Sequence, residues 1–158
     1  MKRSILVLLL LAAPVMAQEM PEDVRGEWVA DVNPTTKDMF VTDCPCESDN
    51  GAIEMTCAAQ SGTVHIEFKD FLSDKAMAGD KAEVTLSVDG EGETRAAQML
   101  AYTDGFVMPA LSVPTDDTLF AALSAGRTLT LSSAGKSAET RLKGSKKALD
   151  AMIEYCRK

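Results

Sequence analysis

Residues 82–90 read AEVTLSVDG, and this stretch decides the fold class. Val84, Leu86 and Val88 alternate with polar residues, so a β-strand would place all three on one face. The closing Asp-Gly pair is typical of a tight turn between antiparallel strands. The stretch therefore predicts a strand over 82–88 in a sheet that has one buried face.

The same period of two recurs along the chain. In residues 63–68, Val64, Ile66 and Phe68 share one face, whereas His65 and Glu67 share the other. Seven more segments have the length and composition of strands: 27–32, 39–42, 52–58, 94–102, 106–108, 128–132 and 138–142. Short strands at regular spacing predict a mostly β fold, either an antiparallel β-sandwich or a strongly curved sheet.

Two segments break the alternation and predict helices. Capping and acidic residues at 114–117 precede an apolar stripe that Gly126 ends, which indicates a short helix near 116–125. A C-terminal helix is expected near 145–157, with Ser145 as its cap. Leu149, Met152 and Cys156 recur at helical spacing. Cys156 should therefore face the core, although it lies close to the C-terminus.

The N-terminus has the pattern of a secretory signal peptide. Lys2 and Arg3 precede a short apolar run, and small residues lead up to Ala17. We expect cleavage after Ala17 and export to the periplasm or beyond, with no membrane insertion afterwards. Residues 18–158 are then one β-rich domain of ordinary size, stabilised by disulfides.

The charge of the chain excludes one class of partner. The net charge of −8 becomes −10 once Lys2 and Arg3 are removed with residues 1–17. Nucleic acids and anionic lipids require a basic surface, so we expect neither as a partner. An acidic balance favours solubility and is compatible with a basic partner.

The cysteines are predicted to form two disulfides. There are four of them, Cys44, Cys46, Cys57 and Cys156. An even number in an exported protein indicates structural bonds. Asn50-Gly51 predicts a hairpin in which residue 44 faces residue 57. The spacing therefore slightly favours Cys44–Cys57, which leaves Cys46 for Cys156.

A second pairing remains open, because Pro45 has no N–H to donate at its position in that hairpin. The alternative is Cys57–Cys156, with Cys44 and Cys46 either bonded to each other or free. A strained Cys-Pro-Cys bond would be easily reduced, so this alternative allows a periplasmic thiol-redox function at Cys44 and Cys46.

Catalytic and metal-binding patterns are weak. One histidine and one Cys-x-Cys do not make a zinc site, and the scattered methionines make a copper carrier a less favoured alternative. His65 lies beside Glu67 on the polar face of its strand, but the sequence nominates no nucleophile for it. We therefore predict no catalytic residues, no cofactor, no metal site and no enzymatic activity.

One apolar residue near a strand end has two expected placements. Phe106, in the segment 104–109, would be exposed at a strand edge or packed in the core. Core packing is the expectation, as it is for most of the methionines.

The order of features resembles two families of exported proteins. The motifs are AIEMTCAAQSGTVHIEFKDFL (52–72), AEVTLSVDG (82–90), YTDGFVMP (102–109) and the closing run DTLFAALSAGRTLTLSSAGKSAETRLKGSKKALDAMIEYC (117–156). Together they resemble periplasmic VasI-type accessories of type VI secretion, and 119–151 is similar to the end of invasion-associated locus B proteins. The resemblance implies a β-rich periplasmic domain and, on the VasI pattern, a Cys57–Cys156 bond. The Cys44-Pro45-Cys46 segment departs from that pattern.

The function expected from these features is binding. We predict an exported periplasmic module that binds a protein of the cell envelope, as an accessory of an envelope or secretion assembly. Its oligomeric state and its partner do not follow from the sequence.

Overall fold

The computed structural model describes residues 27–43 and 51–158. Within these residues the chain forms nine β-strands and two α-helices. The strands are Val29–Val32 (β1), Met39–Thr42 (β2), Glu54–Cys57 (β3), Thr63–Glu67 (β4), Lys81–Val88 (β5), Glu91–Ala101 (β6), Val107–Pro114 (β7), Thr128–Ser133 (β8) and Lys136–Arg141 (β9). The helices are Thr118–Ala125 (α1) and Ser145–Arg157 (α2). The predicted mostly β fold with a short helix and a C-terminal helix is confirmed.

All nine strands belong to one antiparallel open sheet. Their order is β1-β2-β3-β4-β7-β6-β5-β8-β9. The pairs β4–β7 and β5–β8 join strands that are distant in sequence. Strands β1 to β4 follow one another as a meander. The chain then continues to β5, which is three positions away in the sheet, and β6 and β7 fill the gap so that β7 pairs with β4.

The sheet curves until its two edges meet at one corner. The indole Nε1 of Trp28 donates to the carbonyl of Arg141 at 2.8 Å, and its backbone N–H donates to the carbonyl of Lys143 at 2.9 Å. Trp28 immediately precedes β1, and Arg141 ends β9. One buried tryptophan thus links the first and last strands.

The core lies on the concave face of this sheet. Alternate residues of the strands point inward, as the period of two predicts, and α2 packs against β1, β2 and α1. The largest fully buried side chains come from both halves of the sheet and from both helices: Phe68, Ile53, Met55, Ile66, Leu123, Leu129, Leu131, Leu149 and Met152.

Strand β7 is longer than the sequence predicts. The expected strand 106–108 is instead Val107–Pro114, and its first five residues are all buried. A strand covered on both faces loses the alternation that identifies it. Phe68 follows β4 and its backbone N–H donates to the carbonyl of Pro109 on β7. Proline has no N–H to return a bond, so the carbonyl of Phe68 accepts instead from Phe71 N at 3.2 Å. The 3-10 turn Lys69–Phe71 therefore begins where β4 ends.

The start of α2 also differs in detail from the prediction. Gly144 is the residue before the helix, with a φ of 83°, and no side chain caps it. Ser145 is buried, and its hydroxyl oxygen lies 2.7 and 2.8 Å from the carbonyl oxygens of Leu123 and Leu142, which share its one proton. Ser145 thus ties α2 to the end of α1 and does not act as a cap. The cap predicted for α1 is present, because the Asp117 side chain accepts from Leu119 N.

The structure joins Cys57 to Cys156, with Cα atoms 5.9 Å apart. The pairing that the spacing favoured, Cys44–Cys57 with Cys46–Cys156, is therefore corrected to the alternative. The reason is the register: β3 pairs with β2 so that Cys57 lies opposite Met39, not residue 44. The side chain of Cys57 then points inward to α2.

Three predictions fall outside the described residues. They are the signal peptide with its cleavage site after Ala17, the hairpin tip at Asn50, and the state of Cys44 and Cys46. In the described part of the chain, no helix has the length and apolar character needed to cross a membrane.

Candidate binding surface

Three large apolar side chains are exposed among the described residues, and all three lie at one end of the molecule. Met77 is 71% exposed, Phe106 40% and Tyr102 37%. We call these three residues the apolar tip. The expectation that Phe106 packs in the core is wrong. The expectation for most of the methionines is confirmed, because Met77 is the exception among those in the described residues.

The β6–β7 hairpin presents two of these side chains. Its turn is the 3-10 segment Thr103–Gly105, in which Asp104 and Gly105 both have positive φ. Tyr102 N donates to Phe106 O at 2.8 Å, and Phe106 N donates to Thr103 O at 3.2 Å. These bonds fix the backbone on which both partly exposed aromatic side chains stand.

The third side chain comes from loop 72–80, which is bonded to both strands of the hairpin. Ser73 and Val107 exchange two backbone hydrogen bonds, at 2.8 and 2.9 Å. At the other end of the loop, Gly79 N donates to Met99 O at 2.8 Å, and Met99 N donates to Asp80 O at 2.9 Å. The loop is therefore held in place, and Met77 stands on a supported turn.

Charged side chains of both signs surround the tip. Asp74, Asp80 and Asp104 are exposed on loop 72–80 and the hairpin turn. Lys75 lies on the loop, Lys81 directly follows it, and Lys136 Nζ donates to the carbonyl of Leu72 at 3.2 Å. The nearby Lys69 pairs with Glu54 at 2.6 Å. Burial lowers the pKa of Lys69, but the hydrogen bond to Glu54 and neighbouring carboxylates outweigh this effect, so its pKa is raised. Lys69 thus stays charged and is already paired.

A cleft of about 1140 Å³ adjoins the tip and shares loop 72–80 with it. Its lining includes the small residues Ala82 and Ala97, which are paired across β5 and β6. The cleft is lined by both apolar and polar groups. Together with the three exposed side chains, it forms one continuous open surface along loop 72–80.

The only histidine lies in this cleft beside a hydroxyl that the sequence did not nominate. The register places His65 opposite Ser112, and His65 Nδ1 is 3.1 Å from Ser112 Oγ. Glu67 Oε1 is 3.6 Å from His65 Nε2, which is longer than a hydrogen bond. The predicted position of His65 beside Glu67 on the polar face is confirmed. Ser112 could be predicted as the neighbour of His65 only if the β4–β7 register were known.

The disulfide lies far from the tip. Cys57 is level with Val64 on β4 and so with Val113 on β7, six residues from Val107, which is about 20 Å along a strand. Cys156 is fully buried and Cys57 nearly so. This bond braces α2 against β3 and takes no part in the exposed surface. Across residues 27–43 and 51–158, no three His, Cys, Asp or Glu side chains come together as metal ligands would.

The side chains of Asp43 and Arg95 are also largely shielded from solvent, and each forms hydrogen bonds within the fold. The Asp43 carboxylate accepts from Ile53 N at 3.2 Å, and its burial raises its pKa. Arg95 donates two hydrogen bonds to Asp117, at 2.7 and 2.8 Å, which joins β6 to the start of α1. Neither group lies at the tip.

Comparison with known proteins gives matches by structure and none by sequence. No family model matches the chain, and no curated protein matches its sequence. The crystal structure of invasion associated protein B from Bartonella henselae superimposes with a TM-score of 0.53 at 17% identity. The match covers 82% of this chain and 94% of that one. At this identity the likeness shows a shared fold, which agrees with the resemblance to invasion-associated locus B proteins.

Proposed function

We propose that this chain is an exported, disulfide-braced module that binds a protein of the cell envelope through the apolar tip. The observation that carries the proposal is the clustering of Met77, Tyr102 and Phe106 at one supported end of the sheet. Aromatic residues and methionine are enriched in protein interfaces, and exposed groups of them mark interaction sites.

The fixed backbone of the tip favours a binding role for the three exposed side chains over exposure without a function. Each of the two segments that carry it is bonded to the sheet through its backbone. Side chains on a fixed backbone lose less freedom when a partner covers them, which favours affinity. The adjoining cleft gives a partner room for a side chain or a short segment of its own.

The predicted export and the shared fold suggest where the partner is found. The N-terminal pattern supports secretion, and a buried disulfide between β3 and α2 suits an oxidising compartment. The structural neighbour is itself named as an invasion associated protein. We therefore place the partner in the periplasm or at the cell surface, as part of an envelope or secretion assembly such as those with VasI-type accessories.

Site-specific photo-cross-linking tests this proposal. Phe106 is replaced by p-benzoylphenylalanine, an aromatic residue of similar shape, and the protein is irradiated in intact cells. The matched control carries the same group at Glu91, which is exposed at the opposite end of β6. We expect a discrete adduct from position 106 alone, identifiable by mass spectrometry as one envelope protein.

A second variant ties the adduct to the tip. Adding Met77→Ser and Tyr102→Ser to the protein with the probe at 106 should abolish the adduct and leave the melting temperature unchanged, because both side chains are exposed. Equal adducts from positions 106 and 91, or an adduct that survives the two serine substitutions, would show that the tip is not the binding surface.

A further inference from the structure

We infer that Met77 is a site of oxidative modification, and that oxidation of its thioether to a sulfoxide weakens the binding of a partner at the apolar tip. This inference rests on the proposed function, and it names a regulation of the same surface. A thioether is apolar, whereas a sulfoxide is polar, so the modification changes the property on which binding at the tip depends.

The first step is access to the sulfur atom. Met77 is 71% exposed, the largest value among the exposed large apolar side chains of the described residues. The other methionines within those residues are all buried, and none is more than 9% exposed: Met39, Met55, Met99, Met108 and Met152. Because an oxidant must reach the sulfur, exposure decides which methionine reacts first. Met77 should therefore be oxidised before the methionines of the core.

The second step is a balanced reaction with a peroxide as the oxidant. A lone pair of the Met77 sulfur attacks one oxygen of the peroxide, a sulfur–oxygen bond forms, and the O–O bond breaks. With hydrogen peroxide, the proton of the transferred hydroxyl passes to the departing hydroxide, which leaves as water. The thioether loses two electrons and the peroxide gains them, so no further reactant is needed. The exported location proposed above is an oxidising compartment.

The third step is that oxidation changes the polarity of the tip and leaves the fold in place. Met77 N donates to Asp80 Oδ2 at 2.9 Å, and Asp80 N donates to Met77 O at 3.1 Å. Both bonds involve the backbone of Met77, so an oxygen added to its sulfur breaks neither. A partner that covers the tip must then remove a polar sulfoxide from water, which weakens binding unless a hydrogen-bond donor meets it.

Peptide mapping after treatment with hydrogen peroxide tests the selectivity. In the purified folded protein, we expect Met77 to gain one oxygen atom at least about tenfold faster than any of the buried methionines. In protein unfolded in urea, all of them should react at similar rates, because the difference comes from burial. Oxidation of Met77 no faster than that of the buried methionines in the folded protein would contradict the inference.

Cross-linking from position 106 tests the effect on binding. The purified protein with p-benzoylphenylalanine at position 106 is oxidised, freed of peroxide, and then irradiated with an extract of the cell envelope. We expect the adduct with the envelope protein to fall about tenfold or more relative to untreated protein. The melting temperature should not change, because the oxidised group is exposed.

Two variants of Met77 identify the oxidised group. Met77→Leu keeps an apolar side chain without sulfur, so its adduct should stay within about twofold of wild type before and after peroxide. Met77→Gln is polar without oxidation, and its adduct should be weak in both conditions. Loss of the adduct from peroxide-treated Met77→Leu would assign the effect to another residue. Equal adducts from untreated Met77→Leu and Met77→Gln would show that polarity at this position does not matter, and either result overturns the inference.

The outcome separates this inference from the proposed function. An adduct from position 106 that survives complete oxidation of Met77 would leave the tip as a binding surface and remove its regulation by oxidants. Absence of an adduct from the untreated protein would instead contradict the proposed function itself, and the inference would fall with it.

Discussion

Asp117 illustrates at the scale of one residue how this small fold joins its helices to its sheet. Its carboxylate accepts two hydrogen bonds from Arg95 and also caps α1 through Leu119 N. The hydrogen bonds from Arg95 hold the pKa of Asp117 below its ordinary value of 3.8. The ionised form is therefore favoured in the folded state, and this residue stabilises the fold above the pKa of the unfolded chain.

Asp117→Asn should lower the free energy of unfolding at pH 7 by about 1–3 kcal/mol, since it removes a charged hydrogen-bond pair that is mostly shielded from water. The loss should shrink as the pH falls below about 4, because the unfolded wild-type chain binds a proton at Asp117 there, and the folded protein follows at lower pH. Urea unfolding at several pH values measures both effects. The exposed neighbour is the control: Asp116→Asn should change little, and a pH-independent loss in Asp117→Asn would contradict the account.

Ser112 and His65 test whether the protein is a binding module or an enzyme. Their hydrogen bond is that of a nucleophile and its base, but Glu67 is too distant to hold the imidazole in one orientation. We expect a fluorophosphonate probe to label the folded protein no faster than the Ser112→Ala variant. Rapid labelling that Ser112→Ala and His65→Gln both abolish would reveal a reactive serine.

Single-residue predictions from sequence succeeded where a local pattern decided them. Alternation placed His65 and Glu67 on the polar face, and helical spacing turned Cys156 to the core. Phe106 was placed wrongly, because its exposure depends on the backbone of the turn 103–105, where Asp104 adopts a positive φ that the sequence does not signal. Ser112 was missed because its neighbour is set by the β4–β7 register.

Helix α2 is the element that the disulfide secures. Cys156 lies in its last turn and is bonded to Cys57, 99 residues earlier. Arg157 adds a hydrogen bond to the carbonyl of Thr115 at 3.0 Å, and the hydroxyl of Tyr155 donates to the carbonyl of Lys37. The final helix therefore has covalent and polar anchors at the end opposite Gly144.

Cys156→Ser should lower the free energy of unfolding by about 2–5 kcal/mol, the usual cost of losing a native disulfide. Thermal unfolding under non-reducing conditions gives the value. The double variant Cys57→Ser with Cys156→Ser should lose a similar amount, since both remove the same bond. A melting curve unchanged from wild type would mean that sulfur does not anchor α2.

Gly144→Ala tests the start of the same helix. Gly144 has a φ of 83°, and an added Cβ would lie 3.2 Å from the carbonyl oxygen of Trp28. We expect a loss of about 1–2 kcal/mol in stability. Gly135→Ala is the matched control, because Gly135 has a φ of 79° but open space around it. Equal losses would mean that the corner near Trp28 is not tightly packed.

A strand or helix could be predicted from the sequence where its residues show a clear period of hydrophobicity or recognisable capping residues. Strands β2, β4, β5, β8 and helix α2 agree with their predicted spans within one residue. β7 was predicted too short, because burial on both faces removes its alternation and two prolines suggest a break. The hairpin between β2 and β3 was placed in the wrong register, because Asn50-Gly51 was taken as its centre.

At the scale of the whole molecule, the fold brings the first and last strands together at Trp28, and places the disulfide away from the apolar tip. The disulfide and Trp28 close the structure around α2, whereas the apolar tip lies about 20 Å along β7 from the level of Cys57. A curved antiparallel sheet was predictable from short alternating strands. Its order was not, because the β4–β7 and β5–β8 pairs link segments whose sequences do not identify each other.

The Cys57–Cys156 bond is the covalent link that holds α2 against the sheet. Non-reducing peptide mapping of the protein recovered from the cell envelope tests it most directly. We predict one cross-linked peptide pair that joins Cys57 to Cys156. Recovery of Cys57 bonded to Cys44, or of Cys156 as a free thiol, would contradict the account.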